Sequence, residues 1–198
     1  MTTAKRSARD RLLEAADRLF YEEGVHTVGI DRVLEQSGVA KGSLYYNFSG
    51  KDALVRAYLE GRHAKWAARI DEQLATTDDP VGKVLAVFDA LADLFAQPDF
   101  RGCAFINAAA EATPGSAEDI ATTDFRTWLH ALFSGLLVGA DVHDDATLTD
   151  QLVLLYDGAN ISARLDHKPT AAAAARSVAG LLLQAATAAP TARATRRT

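Results

Sequence analysis

Apolar residues recur every three or four positions along almost the whole chain, and this spacing restricts the fold more than any other feature. Such a stripe lines one face of an α-helix, which makes a turn in about 3.6 residues. The first stripe is formed by Leu12, Ala16, Leu19 and Phe20. No segment shows the strict alternation of a half-buried strand, so the sequence predicts an all-α protein of about nine helices.

Capping and breaking residues mark the expected helix ends. Gly24 is expected to end the first helix in the left-handed conformation, Thr27 to cap the second, and Gly38 to end the second. Ser or Thr with Asp three residues later has the spacing of a capping box, and proline favours the first helical position. These signals predict further helix starts at Ser49, Pro80, Ser116, Thr147 and Pro169, and a short buried helix over residues 103–112.

Charge is divided unequally along the chain. Residues 1–65 carry eleven Lys and Arg against nine Asp and Glu, a net of +2, so a total of −5 leaves −7 for the remainder. A basic first part can approach nucleic-acid phosphates, whereas an acidic second part is repelled by them. From charge alone, a solvated basic tail is an equally good interpretation.

Residues 27–54 contain two short helical patterns joined by a tight turn at Gly38. This is the arrangement of a helix-turn-helix, whose second helix enters the major groove of DNA. Small and polar residues at the start of that helix allow its backbone to approach base edges, and the residues after them fall where phosphates are expected. The first group is Lys41, Gly42 and Ser43, and the second is Tyr45, Tyr46 and Lys51.

The same segment resembles the N-terminal motif of the TetR-type repressors. The shared positions are Gly24, Thr27, Gly38, Val39, Lys41, Gly42, Leu44, Tyr45, Phe48, Lys51 and Leu54, whereas Asn47 stands where many relatives have a basic residue or His. The resemblance implies a helix-turn-helix domain at 1–52 and a helical ligand-binding and dimerisation domain at 53–190. Residues 191–198, which have no apolar residue larger than alanine, are expected to form a mobile tail. The resemblance also implies the DNA contacts, with Gly42 and Ser43 closest to the bases. These contacts are Thr27, Lys41, Gly42, Ser43, Tyr45, Tyr46 and Lys51.

A mode of action is also implied by the resemblance. A homodimer paired through its last two helices would repress transcription from a palindromic double-stranded DNA operator, and a small-molecule inducer would release it. The final helices carry more apolar surface than one monomer is expected to bury, which favours such pairing. The aromatic residues of the second half favour an apolar or aromatic inducer, although an ordinary core role is the alternative for each of them. The candidate ligand residues are Trp66, Phe88, Phe105, Asn107, Trp128, Tyr156 and Asn160.

Other functions find less support in the residues. The single cysteine, Cys103, is either an oxidant sensor or an inert core residue. An enzyme using Cys103 with a histidine, or His130 with Asp124, would lack any nucleophile elbow, phosphate loop or zinc-protease motif. A third hypothesis is a helical adaptor in which the motif is only structural. We expect no catalytic residue, cofactor, metal site or membrane span, and a cytoplasmic location.

Overall fold

The computed structural model describes residues 6–140, 142 and 145–188, and all regular structure in these ranges is helical. The helices are α1 (Ala8–Glu23), α2 (Ile30–Ser37), α3 (Lys41–Asn47), α4 (Lys51–Leu74), α5 (Pro80–Phe95), α6 (Ala104–Glu111), α7 (Ala117–Gly139), α8 (Asp145–Leu165) and α9 (Ala171–Ala188). The predicted all-α fold of about nine helices is confirmed over this part of the chain. The predicted tail at 191–198 lies outside the described residues. None of the described helices has the length and apolar character needed to cross a membrane.

The helices are grouped into two compact units. Unit 1 comprises Met1–Ala68 and Arg101–Thr127, and unit 2 comprises Arg69–Phe100 and Trp128–Thr198. Two of the three boundaries between the units fall within α4 and α7, and the third lies between α5 and α6. Helix α6 belongs to the same unit as the helix-turn-helix. The functional division expected at residue 52 stays a prediction.

The core of unit 1 is built around α1. The predicted stripe of Leu12, Ala16, Leu19 and Phe20 is buried. This helix packs against both α2 and α3. The ring of Phe20 also meets Tyr58 of α4 edge-on, with the ring centroids 5.6 Å apart. Because α1 contacts both helices of the motif, its buried face fixes where they lie within the unit.

Unit 2 has a separate aromatic and aliphatic core. Phe88 of α5, Phe133 of α7 and Tyr156 of α8 are buried, and successive ring centroids lie 6.0 and 6.5 Å apart. Helix α9 packs against both α5 and α8. At the surface, Nε of Arg176 in α9 lies 2.8 Å from a carboxylate oxygen of Asp89 in α5. The large rings thus form the centre of this unit, and α9 closes one side of it.

Several predicted helix ends agree with the structure. Asp79 accepts the N–H of Gly82 at 2.7 Å and caps α5, which has Pro80 in its first turn. Before α7, the hydroxyl of Ser116 accepts the N–H of Asp119 at 3.2 Å. Helix α6 extends over Ala104–Glu111, within the predicted range. In each case the signal is local, so the sequence alone contains it.

Gly24 ends α1 as predicted, but its predicted conformation and the predicted cap of α2 are wrong. Gly24 has a positive φ of 93°, but its ψ of 152° lies outside the left-handed helical region. Thr27 does not cap α2, because Gly29 is the residue at that position and no side chain caps the helix there. The turn after α1 is instead closed by the carboxylate of Glu111, which is remote in sequence and invisible to a local pattern.

Two helix starts in unit 2 also differ from the prediction. Helix α8 begins at Asp145, so Thr147 lies inside its first turn and is not the cap. A Thr with Asp three residues later fits inside a first turn as well as before it, so the spacing does not define the start. Helix α9 begins at Ala171 and not at Pro169, because the N–H of Ala171 donates to the carbonyl of Lys168 at 3.2 Å in a preceding turn.

Candidate nucleic-acid interface

The turn between α2 and α3 is formed at Gly38. Its φ of 62° and ψ of 29° are left-handed, and its N–H donates to the carbonyl of Leu34 at 3.0 Å. An L side chain is strained in this conformation, which explains the glycine. Val33 before the turn and Val39 after it are both buried. The turn therefore directs α3 away from α2 while both flanking segments stay attached to the core.

Arg11 of α1 braces this turn from outside the motif. Its Nη1 donates to the carbonyl oxygens of Ser37 and Gly38, both at 3.3 Å. These carbonyls belong to the C-terminal end of α2, where the helix dipole favours a cation. Sequence reasoning misses this role because the Arg11–Ser37 contact joins residues 26 positions apart.

Helix α3 has one buried face and one open face. Leu44 and, just beyond the helix end, Phe48 are buried and anchor the helix in unit 1. Tyr45 and Tyr46 are 51% and 91% exposed, although aromatic rings are usually buried when only the fold requires them. Exposed rings on a short, firmly anchored helix indicate a binding surface.

The predicted DNA-contact residues lie in unit 1, most of them in α3 and at the start of α4. Lys41 is exposed, and its Nζ lies 3.5 Å from a carboxylate oxygen of Asp31 in an exposed pair that costs little to break. Gly42 faces open space, since a Cβ added there would meet nothing within 4 Å. Ser43 and Lys51 are half-buried. Tyr45 and Tyr46 project from the same helix, whereas Thr27 is exposed in the turn that precedes α2.

Asn47, which departs from the family pattern, closes the end of α3. Its amide Nδ2 donates to the carbonyl oxygen of Ser43 at 2.7 Å. The side chain thus bonds back to a carbonyl one turn earlier in the same helix. The side chain therefore has a structural role in this chain.

Helix α1 is tied to α4 by Arg62. The Nε of Arg62 donates to a carboxylate oxygen of Asp17 at 2.6 Å, and its guanidinium lies 3.8 Å from the ring centroid of Tyr21. Burial raises the pKa of the neighbouring Tyr58 phenol well above its usual value, so this ring stays neutral. A paired and stacked arginine makes α1 and the first part of α4 a stiff support for the motif.

The seven candidate ligand residues are divided between the two units. Three lie in unit 1 and four in unit 2, in the order Trp66, Phe105 and Asn107, then Phe88, Trp128, Tyr156 and Asn160. Trp66, Phe88, Phe105, Tyr156 and Asn160 are buried, whereas Asn107 and Trp128 are half-buried. Their shared role in ligand binding stays a prediction.

In unit 1, Phe105 lies in an aromatic cluster. Its ring is parallel to that of Phe125 with the centroids 3.8 Å apart, and His63 meets both rings edge-on. Burial lowers the pKa of His63, which favours the neutral imidazole. The amide of Asn107 donates to the carbonyl of Arg101 at 3.2 Å. These contacts join α4, α6 and α7 within the unit.

In unit 2, the buried side-chain amide of Asn160 is only partly hydrogen-bonded within the described residues. It is 2% exposed, and its Nδ2 donates to the carbonyl of Tyr156 at 3.0 Å. Its Oδ1 has no hydrogen-bond partner among the described residues. A buried acceptor left unpaired costs about 1–3 kcal/mol. A donor group supplied from outside the chain would remove this cost.

Comparison with known proteins places this geometry in a family. Residues 12–58 match the family model of the bacterial regulatory proteins, tetR family. SCO4454, a TetR-family transcriptional regulator from Streptomyces coelicolor, superposes with a TM-score of 0.84 and 33% identity, over 91% of this chain and 96% of that one. The chain belongs to the TetR family.

Curated relatives of this TetR-family chain are regulators of transcription. The repressor ComR of Escherichia coli is 33% identical over 58% of this chain and 55% of its own length. The activator FasR of Mycolicibacterium smegmatis is 33% identical over 48% of this chain and 42% of its own length. The chain thus spans about half the length of these relatives. The expected class, a DNA-binding transcriptional regulator with a helix-turn-helix, is confirmed, and a non-enzymatic role is consistent with these relatives.

Proposed function

We propose that this TetR-family regulator represses transcription by binding a palindromic double-stranded DNA operator as a homodimer, and that a small-molecule inducer releases it. The observation that carries the proposal is the open face of α3. Tyr46 is 91% exposed there, Lys41 lies at the first position of the helix, and Gly42 leaves room for a close approach. A helix anchored on one side and open on the other fits the major groove.

Each DNA contact has a chemical role in this proposal. Lys41 and Lys51 bind phosphates through charge, and Tyr45, Tyr46 and Thr27 through their hydroxyl groups. Gly42 and Ser43 lie nearest to the base edges, where a small side chain permits direct readout. The ion pair between Lys41 and Asp31 would open on binding, because a phosphate replaces the carboxylate.

Exposed apolar side chains on α8 and α9 support dimerisation through these helices. Leu154 and Leu165 of α8 are each 71% exposed, and Leu181 of α9 is 63% exposed. A groove of about 400 Å³ is lined by residues of α8 and α9, among them the small residues Gly158 and Ala174. Small residues let a partner helix approach closely, and a second copy would cover the exposed leucines. We therefore assign this face to the homodimer.

The inducer is expected to be apolar or aromatic with at least one hydrogen-bond donor. The candidate residues are mainly buried aromatic side chains, which suit such a compound. The unpaired Oδ1 of Asn160 would accept a hydrogen bond from it. Release follows when the compound binds better to the form of the dimer that cannot span the operator.

Selection of binding sites from random DNA tests this function. Two recognition helices related by a two-fold axis must be separated by about one DNA turn, near 34 Å. The selected sites should therefore be inverted repeats that each bind two chains. A screen of apolar compounds should then find one that dissociates the protein from this DNA without itself being chemically altered. Sites without symmetry, or one chain per site, would contradict the dimer. A chain that retards no DNA at low salt would contradict DNA binding altogether.

Lys51→Ala should weaken binding about equally on all DNA sequences. Each lost phosphate contact makes the negative slope of log K against log salt concentration less steep by about 0.9, so the loss of one contact from each subunit of the dimer should change it by about 1.8. Fluorescence anisotropy of labelled DNA at several salt concentrations measures this slope. Lys65→Ala is the matched control, since it removes an exposed cation from the same helix. An unchanged slope for Lys51→Ala would show that Lys51 does not contact phosphate.

A further inference from the structure

The C-terminal end of α6 is hydrogen-bonded to the turn between α1 and α2, within unit 1. Glu111 is the last residue of α6. Its Oε1 accepts the N–H of Val25 at 3.2 Å, and its Oε2 accepts the N–H of His26 at 2.6 Å. One carboxylate thus satisfies two successive backbone donors, and bonds to a charged acceptor are stronger than those between neutral groups.

Gly24 leaves the space that this carboxylate occupies. A Cβ added at Gly24 would lie 2.9 Å from Oε1 of Glu111, closer than real Cβ contacts allow. The φ of 93° at Gly24 also disfavours any other residue. The carboxylate of Glu111 therefore occupies space that is open only because residue 24 is a glycine. An ordinary surface ion pair needs no such space in the backbone of its partner.

A second connection lies just before α6. The hydroxyl of Tyr21 accepts the N–H of Arg101 at 2.9 Å and donates to the carbonyl of Gly102 at 2.8 Å. After α6, a carboxylate oxygen of the buried Glu118 lies 3.5 Å from Nε2 of His26. The segment around α6 is thus attached to the end of α1 and to the following turn at several points.

We propose that Glu111 is a positioning residue for operator binding. Its carboxylate holds the turn at Val25 and His26, and through that turn it sets the start of α2 and the position of Thr27. This proposal rests on the proposed function only in requiring that the chain binds an operator.

Because Glu111 is negatively charged, the direction of the change in operator affinity distinguishes a positioning role from a purely electrostatic one. Removing a carboxylate from a DNA-binding unit makes that unit less negative and, on electrostatic grounds alone, strengthens binding to phosphates. Loss of a positioning contact weakens binding instead. The two explanations therefore predict opposite changes in the dissociation constant.

Glu111→Gln keeps the size of the side chain but replaces one accepting oxygen with an NH₂ group, which cannot accept an N–H. We expect the operator dissociation constant to rise about tenfold. The salt slope should stay as in the wild type, because no phosphate contact is removed. Hydrogen exchange at the amides of Val25 and His26 should accelerate, while exchange at core amides such as that of Leu19 should not.

Two further variants and one control make the test specific. Glu111→Asp keeps the charge but is too short to reach both amides, so it should also weaken binding. Gly24→Ala crowds the same carboxylate but also strains the backbone at a positive φ, so it should weaken binding further when it is combined with Glu111→Gln. Glu22→Gln removes an exposed carboxylate from the last turn of α1. This control should bind the operator equally well or more tightly.

Particular results would overturn the proposal. Tighter binding by Glu111→Gln, or an unchanged dissociation constant with unchanged exchange at both amides, would show that Glu111 positions nothing. Faster exchange throughout unit 1 would show a general structural role instead. A wild-type chain that binds no selected DNA would contradict the proposed function. A wild-type chain that binds the operator, with a Glu111→Gln variant that binds it equally well, would contradict only the role of Glu111.

Discussion

Gly42→Glu should abolish operator binding and leave the protein folded. A side chain added at Gly42 meets no atom within 4 Å, so unit 1 can accept it. Glutamate in the first turn of α3 interacts favourably with the helix dipole, and replacing glycine within a helix raises helix stability. On DNA, the same side chain would occupy the space between α3 and the bases and place a negative charge near phosphates. Like charges brought together in an interface cost several kcal/mol, which corresponds to at least about 100-fold in affinity.

Thermal unfolding and operator binding, measured on the same preparation, check this prediction. The melting temperature should be unchanged or higher, while anisotropy should detect no specific complex at concentrations that saturate the wild type. Gly61→Glu is the matched control, because Gly61 lies in α4 and an added Cβ there also meets nothing within 4 Å. The control should bind the operator nearly as well as the wild type. Full binding by Gly42→Glu would show that α3 does not face DNA.

Phe88→Ala should lower the free energy of unfolding by about 3–5 kcal/mol, the usual cost of removing a fully buried aromatic ring. Phe88 is completely buried, and its ring centroid lies 6.0 Å from that of Phe133. The cavity left behind would remove contacts from the centre of unit 2. Urea unfolding followed by circular dichroism measures the change.

Phe88→Leu is the milder companion variant, since it leaves more of the apolar volume in place and should cost less stability. Leu154→Ala serves as the surface control, because Leu154 is 71% exposed. Unchanged stability in Phe88→Ala would show that the ring does not support the core. That result would favour the predicted ligand role of Phe88, in which the ring borders space reserved for an inducer.

The two ends of α2 illustrate how charged residues remote in sequence support the motif. On the N-terminal side of α2, Glu111 accepts backbone N–H groups of the preceding turn. At its C-terminal end, Arg11 donates to backbone carbonyls. The position of Arg11 matches the direction of the helix dipole, which favours a base near the C-terminal end of a helix. The DNA-binding motif is therefore held by side chains that are not part of it.

Local signals were sufficient for much of the fold. The buried stripe on α1, the end of α2 at Gly38 and the proline at the start of α5 were all predicted. Each depends on residues within one or two helical turns, which is the range over which periodicity and capping act. The cap assigned to Thr27 was wrong because the turn beside it is closed by a residue far along the chain.

The sequence by itself determined that the chain is helical and that residues 27–54 form a helix-turn-helix, because spacing and turn chemistry depend on neighbouring residues. Its resemblance to the TetR-type motif identified the family. Only the tertiary structure decided that α6 packs in the same unit as this motif and that Arg11 and Glu111 support it. An apolar stripe shows which face of a helix is buried but not what covers it. Contacts such as that between Glu111 and Val25, 86 positions apart, exist only once the helices have packed.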